Sequence, residues 1–191
     1  MDGLKIREKS DVALPDTNVW DAERVIEWTV KKFGNDAALC TSFQADGMVI
    51  LDMAVRAGLD LRVFTIDTGR LHAETYELID RVRDRYEIQV EVYSPDQDEL
   101  AEFTTANGMN PFYRSVSARI ACCEIRKAHP LNKVLNGLDA WITGVRKDQS
   151  KTRANVGKLE IDDNHGGIVK VNPLADWDED RVSDYIRKND V

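Results

Sequence analysis

Short apolar runs alternate with helix-patterned segments along almost the whole chain, and this alternation restricts the folds open to it. Residues 21–33 place Ala22, Val25, Ile26 and Val30 at helical spacing, and Gly34 suits the stop. The run over 37–41 is too short for a helix and reads as a buried strand. A helix is expected over 47–57 with Gly58 behind it, then a strand over 61–66 rich in β-branched and aromatic residues. The pattern continues with a helix over 71–86, a strand over 88–93, a helix over 98–106 before Gly108, and a helix over 122–135. Strands over 140–143 and 168–171 and a last helix over 178–188 complete it. Strand followed by helix followed by strand implies right-handed crossovers, and hence an α/β fold with a mostly parallel sheet and helices on both faces. In such sheets ligands sit where strands run into helices, at the carboxyl ends of the strands.

The length of 191 residues suits a single domain over 1–191. With 42% hydrophobic and 31% charged residues the composition is that of a soluble globular protein. No apolar run approaches the roughly 20 residues that span a bilayer, so no membrane partner is expected. The first residues, MDGLKIREKSD, lack the apolar core of a secretory signal, which points to the cytoplasm. A net charge of −8 excludes a global basic footprint for nucleic acid. The charge is uneven, however: between Arg119 and Arg153 stand eight basic residues against three acidic ones. Such a surplus fits either a solvated basic face or a site for a small anion.

Three loops follow strands and carry the candidate chemistry. Residues 41–47 (TSFQADG) lead into a helix. The Ser42 hydroxyl and the opening amides of that helix suit an oxyanion, although a plain turn capped by Ser42 or Asp46 would read the same way. The loop has no Walker-type lysine and so is not an ordinary phosphate loop. The second loop, Asp67-Thr68-Gly69-Arg70, has an acid at the strand end and a glycine that allows close backbone approach. Its Asp-Thr-Gly also occurs in aspartic proteases, but here it lies in an α/β alternation without a second copy. The third, over 144–153, holds Gly144, Arg146, Lys147, Lys151 and Arg153, and guanidinium forks of this kind grip phosphate and sulfate oxygens in pairs.

Cys122 and Cys123 are adjacent, and the third cysteine, Cys40, lies in an apolar strand where a buried inert thiol is expected. Neighbouring cysteines do not readily join in a disulfide. The pair therefore reads as buried thiols, a redox pair or two ligands of one metal centre, and Arg126 and Lys127 would favour the thiolates that metals need. A zinc or four-iron site takes four ligands, so the remainder would come from other sequence or from a second copy in a homo-oligomer.

Taken together, these stretches resemble the phosphoadenylyl-sulfate reductase family, and within it the assimilatory adenylyl-sulfate reductases. The resemblance rests on Ser42-Phe43 with Asp46-Gly47, on 64–74 (FTIDTGRLHAE), on 122–127 (CCEIRK), on 144–153 with its Arg-Lys-Asp-Gln core, and on Val171-Asn172-Pro173-Leu174. It implies an adenine nucleotide α-hydrolase-like sheet. Ser42, Phe43, Asp46 and Gly47 would form a modified pyrophosphatase-type loop for the phosphosulfate. Asp67, Thr68, Gly69 and Arg70 would lie beside the nucleotide, with Gly144, Arg146 and Arg153 also binding substrate, and Lys127 and Arg146 as supporting cations. Cys122 and Cys123 would be two of the four ligands of a [4Fe–4S] cluster, a mark of the branch that prefers adenylyl sulfate to its 3′-phosphorylated form. The implied reaction reduces adenylyl sulfate to sulfite and AMP through an enzyme S-sulfocysteine that thioredoxin then reduces.

The chain departs from the family pattern in two respects. Gln44 stands where relatives often carry Gly or Ser. The family's Cys-x-x-Cys and its nucleophilic Glu-Cys-Gly do not occur up to Val191, so the catalytic tail is expected to be missing and the chain to bind nucleotide without turnover. Two rival readings share the fold. An ATP pyrophosphatase would need the Ser-Gly-Gly-x-Asp-Ser loop, which is absent, and would leave the cysteine pair without a role. A degenerate, non-catalytic nucleotide-binding relative would have lost the tail naturally.

Overall fold

The computed structural model describes residues 12–191; the charged N-terminal segment read above lies outside the described residues. The chain divides into two compact units. The first comprises residues 12–63 and 135–191 of the described chain, and the second residues 64–134.

The first unit holds α1 (Ala22–Phe33), β1 (Ala37–Cys40), α2 (Ala45–Arg56), the start of β2 (Arg62–Ile66), β4 (Ala140–Ile142), β5 (Leu159–Asp162), β6 (Ile168–Val171) and α7 (Glu179–Asn189). Its strands lie in the order β2-β1-β4-β6-β5. β1 runs parallel to β4 with Leu39 opposite Ile142, and β4 parallel to β6 with Ile142 opposite Val171. β5 runs antiparallel to β6, with Leu159 opposite Val171. All three residues of β4 are buried, as are Ala37, Ala38 and Leu39 of β1. Successive residues face opposite sides of a sheet, so both faces are covered, as the continuous apolar runs predict.

Helix α1 starts where Asp21 accepts a hydrogen bond from the Arg24 amide at 2.9 Å, and ends before Gly34 at φ 53°. It buries Ala22, Val25, Ile26 and Thr29. Helix α2 is apolar on most of its circumference because it packs against both α1 and α7. Burial of Val49, Ile50 and Leu51 stabilises the unit by about 1.5–3 kcal/mol per side chain. α7 is joined to α2 through the buried Asp52, whose Oδ2 accepts from Arg56 at 2.6 Å and from the Tyr185 hydroxyl at 2.9 Å. Burial, then the Asp52 contact, pushes the Tyr185 phenol well above its usual range.

In the second unit β2 continues, with β3 (Val90–Tyr93) beside it. Phe64 and Tyr93 meet edge to face with centroids 6.0 Å apart. Around them are α3 (Ala73–Tyr86), α4 (Gln97–Asn107), α5 (Val116–Cys123) and α6 (His129–Leu135). The expected helix over 122–135 begins earlier, at Val116, where the Ser115 hydroxyl accepts from the Ala118 amide at 3.1 Å. It then loosens into one π-helical turn, Glu124–Ala128, before α6 resumes. β5 was not expected, because Glu160 and Asp162 interrupt its apolar pattern. No helix among the described residues is long and apolar enough to cross a membrane.

Candidate functional site

In the first unit the strand order reverses between β1 and β4, and the loops that follow these two strands meet there. They form a small cavity of about 150 Å³ lined chiefly by polar groups, with Ser42, Gln44 and Asp46 from one loop and Gly144, Gln149 and Arg153 from the other. Its position is the one that open α/β sheets use for ligands.

Local backbone chemistry shapes this cradle. Phe43 has φ 59°, a conformation that a bulky residue adopts only when its surroundings enforce it. Two contacts do so here: its amide donates to Thr41 Oγ1 at 2.9 Å, and its ring is 4% exposed in the core. Gly47 and Gly144 are required by close approach. A Cβ on Gly47 would lie 2.2 Å from Thr41 Oγ1, and one on Gly144 would lie 2.7 Å from Asp46 Cβ. Behind the second loop, the Thr143 hydroxyl meets Asn172 Oδ1 at 2.6 Å, and Asn172 Nδ2 donates to Gly157 O at 2.9 Å and Glu160 Oε2 at 3.0 Å. The expected cap of α2 is corrected: the N-cap position is Gln44, with no side-chain hydrogen bond, and neither Ser42 nor Asp46 fills it. The Gln44 side chain therefore does not cap the helix's first amides at the end nearest the cradle.

The charges are arranged less simply than the sequence suggests. Arg146 is 4% exposed and does not line the cavity. Its guanidinium is gripped by three carboxylates, Asp46 at 2.7 Å, Asp148 at 3.0 Å and Glu179 at 2.5 Å. Burial opposes its charge, but the hydrogen bond it donates to Glu179 and the neighbouring Asp46 and Asp148 outweigh that and raise its pKa. Burial pushes the Asp46 carboxyl above the usual carboxylate range, and Arg146 only partly offsets this. Gln149 ties the parts together, donating to Asp46 Oδ2 at 3.2 Å and to Gly144 O at 3.1 Å while Arg153 donates to its Oε1. Arg153 is exposed and is, among the described residues, the only cationic side chain lining the cavity. Cys40, expected as a buried thiol, is half-buried and also lines it.

The second unit holds the other expected residues. Asp67 Oδ1 accepts from the Gly69 amide and from the Tyr76 hydroxyl, both at 2.8 Å, which folds Asp67-Thr68-Gly69 into a tight turn with Gly69 at φ 67°. The bond to Asp67 raises the Tyr76 phenol. Arg70 donates to Asn110 Oδ1 at 2.8 Å and to the Met109 carbonyl. Lys127 is exposed, whereas its neighbour Arg126 is buried and donates to the Thr68 carbonyl at 2.8 Å. Cys122 is buried and Cys123 exposed, and the π-helical turn follows them directly. Such turns recur at functional sites. The two thiols suit an iron–sulfur cluster chemically, but the described residues gather no group of three or more His, Cys, Asp or Glu side chains able to hold a metal ion. On their own, then, the described residues supply at most half of such a ligand set.

Sequence reasoning missed Thr41, Gln149 and Arg126 as site-shaping residues. Gln149 stands in the Arg-Lys-Asp-Gln core, but nothing in the sequence shows that it reaches back to Asp46.

Comparison with known proteins gives a consistent result. Over 151 residues the chain is 44% identical to the adenosine 5′-phosphosulfate reductase of Burkholderia cepacia, covering 79% of this chain and 60% of that protein. For the enzyme of the same name from Allochromatium vinosum the identity is 45%, with 79% and 59% covered. The chain thus spans about 60% of the length of these curated relatives. Among solved structures, phosphoadenylyl-sulfate reductase from Candida auris superimposes with a TM-score of 0.77 at 27% identity, over 94% of this chain and 89% of that one. The FMN adenylyltransferase of Candida glabrata, with a TM-score of 0.55 at 14% identity over 86% of this chain and 52% of that one, shares the fold alone. The phosphoadenosine phosphosulfate reductase domain model matches residues 36–191, and the chain belongs to that family.

Proposed function

We propose that this chain is the sulfonucleotide-binding domain of an assimilatory adenylyl-sulfate reductase that acts in the cytoplasm. The observation that carries this reading is the cradle between β1 and β4. It offers the Ser42 hydroxyl, the amides at the start of α2 and the Arg153 guanidinium to one small anion. In the proposed reaction a cysteine thiolate attacks the sulfur of adenylyl sulfate. The sulfur–oxygen bond to phosphate breaks, AMP leaves with the electron pair, and an S-sulfocysteine remains. Thioredoxin's dithiol then reduces it, releasing sulfite and leaving a thioredoxin disulfide. None of Cys40, Cys122 and Cys123 stands in the family's Glu-Cys-Gly, so this chain's part is to bind and orient the nucleotide.

Within the chain, Ser42, Gly47, Gly144 and Arg153 hold the phosphosulfate, and cations there offset charge on the leaving phosphate. Asp67, Thr68, Gly69 and Arg70 contact the nucleotide, and Lys127 is a supporting cation. Arg146 serves by fixing Asp46 and the loop over 144–153. Cys122 and Cys123 would supply two of the four thiolates that hold a [4Fe–4S] cluster.

Anaerobic calorimetry with adenylyl sulfate, its 3′-phosphorylated form, AMP and ATP–Mg²⁺ tests the reading. Adenylyl sulfate is expected to bind best. Tighter binding of ATP–Mg²⁺ would replace the reductase with an ATP pyrophosphatase.

A further inference from the structure

The second unit contains a cavity of about 490 Å³, within the range of small-molecule sites. Helix α4 contributes Gln97, Leu100, Ala101 and Thr104 to it, residues that share one face by their spacing. This accounts for α4 having no fully buried residue: the face expected to meet a core lines a cavity instead. Arg126 also lines the cavity, although it is only 6% exposed. Its Nη1 donates to the Thr68 carbonyl, but its Nε is buried without a hydrogen-bond partner among the described residues. Among the described residues, none that lines the cavity is acidic. Arg70 borders it as well, but its guanidinium is held by Asn110 and the Met109 carbonyl, with Cζ 5.4 Å from the Phe112 ring centre.

A guanidinium stays charged at every accessible pH, and a buried charge with neither counter-charge nor full hydrogen bonding is costly. An anion in the cavity would supply both. We infer that this cavity is an anion-binding site anchored by Arg126, and that its ligand is an oxyanion carried on an apolar body. The Arg126 guanidinium takes the oxyanion, Thr104 and Gln97 offer further hydrogen bonds, and Leu100, Ala101 and Met109 receive the body. The inference rests on the reading above only in that the two share Gly69 and Arg70.

The test follows backbone amide shifts of the ¹⁵N-labelled chain during titration with phenyl phosphate and, separately, inorganic phosphate. Phenyl phosphate is expected to shift Gly69, Ala101 and Thr104 saturably and to bind about fivefold more tightly than inorganic phosphate. Arg126→Met is expected to weaken it by about tenfold or more. Ala101→Trp, which fills the cavity from an exposed helix position, is expected to block it. The absence of a saturable shift in the unaltered chain, or unchanged affinity in both variants, would overturn the site. Equal affinity for the two probes would overturn the apolar body. The amides of 42–47 report the other cradle in the same spectra, so failure of adenylyl sulfate to bind there is seen separately.

Discussion

Two buried arginines, one in each unit, are handled in opposite ways. Arg146 and Arg126 are 4% and 6% exposed. Arg146 is ion-paired with three carboxylates and gives the β4 loop a fixed shape, whereas Arg126 has one backbone carbonyl and no ion pair among the described residues. A buried cation with its anions built in is a structural part; one without them is incomplete until something else arrives. The contrast separates the arginines that shape this molecule from those available to a ligand, a distinction that a count of basic residues conceals.

The largest expected effect tests that contrast directly. Arg146→Met strands Asp46 in a mostly buried position and should cost about 3 kcal/mol in urea unfolding, while Arg126→Met should change stability little. Equal losses in the two variants would break the comparison. Next in size, Gly144→Ala forces a methyl group against Asp46 and should cost about 2 kcal/mol, read from the same denaturation midpoints. Tyr185→Phe sharpens the comparison within the first unit. Asp52 keeps Arg56 but loses one hydrogen bond, so a loss of about 1 kcal/mol is expected. The smallest effect is the pH dependence of Asp46. Its folded pKa is raised above the ordinary 3.8, so the protonated form is the one the fold favours. Its stabilising contribution is present below 3.8 and is lost as pH rises through the folded value. The stability of Asp46→Asn relative to the unaltered chain should therefore fall as pH drops from neutral towards 3.8. A relative stability that rose on acidification would contradict the assignment.

The sequence made the parallel core legible because β1 and β4 are uninterrupted apolar runs and β6 is broken only by Lys170, a pattern that a sheet covered on both faces can bury. The loops after β1 and β4 followed from that, and Ser42, Asp46, Gly47, Gly144 and Arg153 do come together. What stayed hidden depends on long-range pairing. β5 escaped notice because an antiparallel strand beside β6 tolerates Glu160 and Asp162. The π-helical turn leaves no periodic trace in five residues. Arg126 and Lys127 carry the same charge side by side, and only the fold decides that the first is buried and the second exposed. Arg146 reads as a ligand-binding cation until Glu179, thirty-three positions away, is seen at its guanidinium.

The reversed direction of β5 has a practical consequence. Because β1, β4 and β6 run parallel, the cradle lies beyond their carboxyl ends, while the turn joining β5 to β6 lies at the opposite end. That turn contains Gly166, exposed at φ 75°, whereas Gly167 is buried and its amide donates to the Asp162 carbonyl at 2.9 Å, so a short insertion belongs on the exposed side of the turn, at Asn164. A fluorophore or affinity handle placed there would report on the first unit without touching the groups that hold its ligand.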